Sequence, residues 1–397
     1  MFKQSAQNRD EWSGSYINQS YIYYETVNMK KSILPVILVH FLLLITIRSS
    51  AQNNKLKRID SLMEKCLKQT KFSGNILIAE RGQVLFKGCY GLANRVSFDT
   101  LDENSLFELA SVSKQFTAMA IILLREKGRL SLKDSLRKFF PELLYSNITI
   151  YHLLTHTSGL PDYMGLMTAK WDHNRIATNK DIIQLMEKEK PAVQFKPGEK
   201  WEYSNTGYML LASIVEKASG MSFASFLQKN IFDPLQMNRS QVYMRRYSGK
   251  QIDNYAYGYV YRDRQKIYML PDNVKEMEIV IYADGIYGDG TVNSTIIDLY
   301  KWDRALYTSR LIKPSVWEEI STPVKLNDGT VHNYGFGWGT ATNVKYGKMV
   351  SHTGGWPGYN TLITRYTEQD KTIIILCNSG FMPPMLSQGL QKILFDE

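Results

Sequence analysis

The order of apolar patterns along the chain predicts an α/β (α+β) fold, an antiparallel β-sheet flanked by helices with a mostly helical subdomain inserted into it. Three observations carry that expectation. Near the start, the apolar runs Gly74 to Ala79 and Val84 to Tyr90 are separated only by Glu80-Arg-Gly-Gln83, which reads as a hairpin. Near the end, Asn360 to Tyr366 and Thr372 to Cys377 are separated by Thr367-Glu-Gln-Asp370, a second hairpin. Between them the pattern turns to short helical segments punctuated by Gly and Pro, so strands from the two ends of the chain must meet in one sheet.

Taken in order, residues 1–28 are polar and carry no apolar periodicity. Met29-Lys-Lys31, an apolar run from Ile33 to Ile47 and Ser49-Ser-Ala51 then follow the three-part layout of a secretory signal, about 29–51. The run is shorter than the roughly 20 residues a spanning helix needs and contains Pro35 and His40. Cleavage and a periplasmic or secreted location are therefore expected; the alternative is a membrane anchor formed by residues 32–48. The rest, 52–397, reads as one catalytic domain with a sheet part over about 52–105 and 285–397 and a helical part over about 106–284.

Leu56 to Leu67 predicts an amphipathic helix with Leu56, Ile59, Leu62, Met63 and Leu67 on one side. After the first hairpin comes Phe107 to Gly128, apolar nearly all round from Phe116 to Leu124, which predicts a buried helix with Ser111 at its start and Gly128 as its stop. Ile150 to Thr155, Lys180 to Glu189 and Gly207 to Ser219 are further helices, the last closed by Gly220 and continued after a break by Phe223 to Phe232. In the final third, Ser294 to Tyr307 predicts a helix, Tyr334 to Gly339 a glycine-spaced strand, Met349 to Gly354 a segment leading into a loop, and Pro384 to Leu394 a last helix.

The composition narrows the function. With 397 residues, 44% of them hydrophobic, there is room for a large core. The net charge of +10 comes from scattered Lys and Arg with no basic patch interleaved with aromatics, which argues against a nucleic-acid partner. Cys66, Cys89 and Cys377 are too few and too far apart for a disulfide framework or a zinc knuckle and read as small buried hydrophobes, with one bridge left open. His152 and His156 stand four apart with no intervening Glu and no third ligand nearby, so they read as structural, His156 through hydrogen bonds in the turn leading to Pro161. There is no Gly-x-Ser-x-Gly elbow and no phosphate loop, and neither a metal nor an organic cofactor is implied.

The chemistry centres on Ser111 and Lys114, whose spacing puts an amine beside a hydroxyl on one helix face. A second Ser-x-x-Lys, Ser135 and Lys138, lies in a polar run and reads as a solvated face. Tyr203-Ser-Asn205 follows a Lys196-Pro-Gly198 turn, and His352-Thr-Gly354 lies near the end. In this order the motifs resemble those of the serine β-lactamase and D,D-peptidase superfamily, most closely its class C branch of β-lactamases, D-alanyl-D-alanine peptidases and related esterases. The likeness runs from about Phe72 and takes in Leu153-Leu-Thr-His-Thr-Ser-Gly-Leu-Pro161 and Asp298-Leu-Tyr-Lys-Trp302. A second Tyr-x-Asn, Tyr145 to Asn147, lacks the Pro-Gly turn before it, and Tyr203 is preferred.

The residue types suit acyl transfer. A serine hydroxyl needs a base, which a neutral Lys114 supplies, with Tyr203 as a second candidate and as proton donor to the leaving group. The Asn205 amide can accept from Lys114 and donate to a substrate carbonyl. The resemblance further implies a β-lactamase/transpeptidase-like fold, an oxyanion hole from the backbone N–H groups of Ser111 and Gly355, and substrate contacts from His352, Thr353, Gly354 and Gly355. By the same analogy Trp356, Tyr359 and Tyr287 lie near the cleft. Gly354 and Gly355 would leave the strand edge open to substrate. His352 departs from the Lys-Thr-Gly form: an ordinary imidazole is only roughly a quarter protonated at pH 7, a weaker clamp for a carboxylate than Lys. The expected function is a serine hydrolase forming an acyl-enzyme on Ser111 with D-alanyl peptides, β-lactams or small esters, peptidoglycan being a candidate partner and membrane contact arising only through a retained signal. The alternative is a binding protein on the same fold that captures penicillin or a cell-wall ligand without turnover.

Overall fold

Strands β1 (Gly74–Glu80) and β2 (Gln83–Tyr90) open the sheet, joined by Arg81 and Gly82, whose φ angles of 53° and 69° are what a tight two-residue hairpin turn demands. The computed structural model describes residues 52–396, so the N-terminal extension and the signal segment lie outside the described residues. Four strands from the end of the chain complete the sheet: β3 (Gly339–Asn343), β4 (Gly347–Trp356), β5 (Tyr359–Tyr366) and β6 (Lys371–Cys377). Their order is β3-β4-β5-β6-β1-β2 with every pair antiparallel, and the two ends of the chain meet where Gly74 faces Cys377 and Glu80 faces Lys371.

Alternation decides what each face covers. Leu77, Ala79, Ile374 and Leu376 point into the large core shared with the helical part. Ile76, Ile78, Ile373 and Ile375 point the other way, into a second core. The helix through residues 58–69 (α1) closes that second core with Ile59, Met63 and Cys66, while Leu67, expected on the same side, is exposed. Between the hairpins run α2 (Lys114–Glu126), α3 (Ile150–Leu154), α4 (Tyr163–Lys170), α5 (Asn179–Glu189), α6 (Asn205–Ser219) and α7 (Ile296–Ala305); α8 (Pro384–Phe395) ends the chain and packs beside α1 through Leu386 and Leu390.

Helix α2 is buried from Lys114 to Leu124 and packs against α6. The Trp302 indole of α7 donates to Gln115 Oε1 at 3.0 Å and its ring lies 4.7 Å from that of Phe116, fixing α2 from a second side. Helix α6 ends where Gly220 takes φ 73°.

Two segments differ from expectation. Tyr334 to Gly339 is an irregular connection, not a strand: a Cβ on Gly335 would sit 2.0 Å from Ile320 O, and one on Gly337 2.8 Å from Lys114 O. These glycines let backbone lie on backbone, and the second of them presses on the start of α2. Conversely, the segment expected to leave the sheet at Gly354 continues as β4 through Trp356. The three cysteines carry free thiols. Ser135 caps a short helix, Leu136–Phe139, and Lys138 pairs with Asp134 in solvent, as a solvated face should. Among the described residues no single helix is long and apolar enough to cross a membrane.

Candidate active site

Ser111 occupies a single 3-10 turn, Ala110–Ser113, and α2 begins only at Lys114; the serine precedes the helix on which the sequence placed it. The spacing still works, because residues three apart eclipse in a 3-10 turn. Fully buried Lys114 directs Nζ to Ser111 Oγ at 3.1 Å, Asn205 Oδ1 at 2.9 Å and the Asp289 carbonyl at 2.8 Å. Three acceptors match the three N–H groups of an ammonium, and loss of one proton would leave a lone pair facing the serine. The Asp289 carbonyl is itself held from α2, since Thr117 donates to the neighbouring Gly288 O at 2.6 Å.

Two features pin the turn that carries Ser111. Thr361 of β5 donates to Leu109 O at 2.7 Å, and Ala110 is held at φ 48°, a left-handed conformation that costs an L-residue energy. Gly354 of β4 lies against the same turn: a Cβ there would be 2.2 Å from Leu109 O and 3.1 Å from Ser111 N. Its glycine thus serves packing and not an open path for substrate. At Gly355 a Cβ would meet nothing within 4 Å, consistent with a wall left bare toward the cavity.

Asn205 is placed by the start of α6, where Ser204 caps the helix by accepting from Gly207 N at 3.1 Å. Its amide also donates to Asp162 Oδ2 at 3.1 Å, and Asp162 in turn caps α4. One amide N–H is left for a ligand. The Tyr203 ring lies 4.9 Å from Lys114 Nζ, and its hydroxyl is buried with no hydrogen-bond partner among the described residues. Behind it His156, at φ 59°, packs 4.3 Å from the Tyr203 ring and accepts from Ser204 N–H at 3.0 Å, so its bond is to the Tyr203 segment and not within its own turn. Burial, with the charge of Lys114 adding to it, holds this imidazole well below its ordinary range and therefore neutral. His152 accepts from Thr149 N in a helix cap, and no group of three or more metal-ligating side chains occurs among the described residues.

His352 lies behind the cavity wall, its ring 6.2 Å from that of Tyr203. Its Nδ1 lies 2.6 Å from Thr353 O and its Nε2 2.9 Å from Tyr334 Oη, so the ring donates from Nδ1 and accepts the tyrosine proton at Nε2. Burial first, then Lys114, lowers its pKa to about 3, which leaves no positive charge at this position.

A cavity of about 280 Å³ opens beside Ser111, lined by that serine with Tyr203, Asn205, Gly355 and Trp356 among others. Of the expected set, Lys114 lies beneath it, and His352, Thr353 and Gly354 are not part of its lining. Nor are Tyr359, which donates to Ala256 O at 2.8 Å, and Tyr287, which donates to Glu216 at 2.9 Å. Sequence reasoning missed Glu108, Tyr163, Asp284 and Asp289, all on the lining. Asp289 between Gly288 and Gly290 was the one local signal, a carboxylate in a turn.

A sequence profile of the Beta-lactamase family matches residues 59–394. Penicillin-binding protein 4* of Bacillus subtilis (strain 168) is 48% identical over 327 residues, 82% of this chain and 72% of that protein. Esterase EstB of Burkholderia gladioli is 30% identical over 196 residues, 45% of this chain and 50% of that one. The crystal structure of a penicillin binding protein from Bacillus halodurans superposes with a TM-score of 0.73 at 25% identity, covering 84% of this chain and 98% of that one.

Proposed function

Since the chain belongs to the Beta-lactamase family and is a serine hydrolase, we propose that it cleaves small amides and esters by acylation of Ser111 and hydrolysis of the resulting acyl-enzyme. The observation that carries this reading is the buried Lys114 amine bridging Ser111 Oγ and Asn205 Oδ1. In its neutral form Lys114 takes the serine proton as Oγ attacks the carbonyl carbon. The oxyanion is received by the Ser111 and Gly355 backbone N–H groups, and the free amide N–H of Asn205 orients the substrate. Tyr203, with a buried hydroxyl that lacks a partner among the described residues, passes a proton to the departing amine or alkoxide. Water then attacks the ester by the same route in reverse.

Class C-like placement rests on Tyr203-Ser-Asn205 with His352-Thr-Gly354. Neutral His352 supplies no charge for the carboxylate of a β-lactam or a D-alanyl terminus, so esters and uncharged amides are the better substrates. D,D-carboxypeptidase and β-lactam reactions then proceed slowly; the name of the B. subtilis relative supports penicillin as an acylating agent. Segment 29–51 supports export, which would bring peptidoglycan peptides within reach.

The test is mass spectrometry of the protein mixed with a chromogenic β-lactam and, separately, a p-nitrophenyl ester, while colour release is followed. Rapid ester turnover with a slow or absent lactam adduct is expected, and S111A should form no adduct. A labelled adduct persisting in S111A would overturn the assignment, and one equivalent of product without turnover would favour a binding protein.

A further inference from the structure

The cavity beside Ser111 carries three carboxyl groups, Glu108, Asp284 and Asp289, between apolar walls of Met164, Ile286 and Trp356. Two of the three are satisfied. Asp289 accepts from Tyr163 Oη at 3.0 Å. Asp284 accepts from Arg246 Nη1 at 2.9 Å and from the Arg246 and Tyr247 backbone N–H groups at 2.7 and 2.8 Å. The nearby cations are equally committed, Arg245 and Arg246 both lying on Asp272 at 2.7 Å. Two guanidinium groups therefore balance Asp272 and Asp284 among themselves.

Glu108 is left over. Among the described residues its carboxyl makes neither a hydrogen bond nor an ion pair, and burial first, then Asp284, against the pull of Arg246 and Arg245, bring its pKa up to about 7. Its backbone is paired in the short strand Phe107–Glu108, where Glu108 faces Asn293, which fixes where the side chain leaves the chain. Partly open to the cavity beside Ser111, the carboxyl presents an unpaired acceptor that a ligand's donor can reach. Among the described residues no Lys or Arg lines the cavity, and Lys114 is turned to its three acceptors.

We propose that Glu108 receives the ammonium group of the substrate's acyl part, so that the enzyme prefers amino-acyl esters and amides with a free amine and a short apolar side chain. This rests on the acyl-enzyme reading above and names its substrate class. The cavity, at the small end of the roughly 300–1,000 Å³ range of ligand sites, suits an acyl group of amino-acid size. Neutral His352 fits the same preference, since it brings no positive charge for a substrate carboxylate.

The test compares benzyl esters of alanine, each enantiomer, with the amine free or acetylated, by release of benzyl alcohol at pH 7, together with mass spectrometry of Ser111 acylation. For the preferred enantiomer, kcat/KM should favour the free amine by about tenfold or more. E108Q should collapse that ratio toward one, chiefly by raising KM for the amine ester, and E108D should restore part of it. A wild-type ratio at or below one, or a ratio unchanged in E108Q, overturns the proposal while the acyl-enzyme stands. Failure of every ester to acylate Ser111 overturns the acyl-enzyme reading and this inference with it.

Discussion

Lys114 shows what a buried charge requires: three acceptors from three separate stretches surround one amine. Replacing it by Met should lower kcat for a small ester about 10²–10⁴-fold, the range of a lost general base, while KM changes little. Initial-rate kinetics check this, and an unchanged kcat would move the base to Tyr203. The two glycines of β4 separate packing from chemistry. G354A drives a Cβ onto Leu109 O and should cost about 1–3 kcal/mol of stability together with activity. G355A meets no atom and should lower kcat/KM with stability changed by less than about 0.5 kcal/mol. Urea denaturation beside kinetics distinguishes the two, and equal destabilisation would contradict the geometry.

Among the elements, β4 carries a further consequence through His352. Unfolded, this imidazole takes a proton below about pH 6.5; folded, it refuses one until about pH 3. The unfolded state therefore binds more protons across that window, and stability must fall as pH falls through it, by about 1.4 kcal/mol per pH unit for each such histidine. His156 acts with the same sign. H352N should flatten the acid side of a stability profile measured by urea at pH 7, 6 and 5; an unchanged slope would show that His352 is protonated when folded. The elements also show what sequence can carry. Ser111, Lys114, Tyr203 and Asn205 were legible because their spacing is local and each starts or precedes a helix. Tyr334 to Gly339 was misread because glycines two apart look like strand spacing, whereas they answer to Ile320 and Lys114, far away in the chain. Glu108 stands three residues before the nucleophile, yet its isolation depends on how Arg245, Arg246, Asp272 and Asp284 pair, which no local pattern encodes.

At the scale of the whole molecule, helix α7 is tied to the sheet by a buried ion pair. Asp303 of α7 accepts from Arg365 Nε of β5 at 2.6 Å and from Thr372 Oγ1 of β6 at 3.0 Å, with both charged side chains fully buried. D303A strands a guanidinium in the core and should cost about 3–5 kcal/mol, whereas Leu at 303 combined with Met at 365 should cost much less. Urea midpoints decide it: a single variant no worse than the double would mean that packing, not charge, is at stake. The meeting of the two chain ends in one sheet was legible from the placement of the hairpins; this pair, 62 positions apart, was not.

The cavity's lining runs from Glu108 and Ser111 through Tyr163, Tyr203 and Asp289 to Trp356, so its walls are contributed by segments spread over most of the domain. A chain released early, nicked between hairpins or caught half-assembled has the serine but no chamber around it. Covalent tagging of Ser111 would then take a census of finished molecules, and the ratio of tagged to total chain would give the yield of a refolding experiment without any spectroscopic standard.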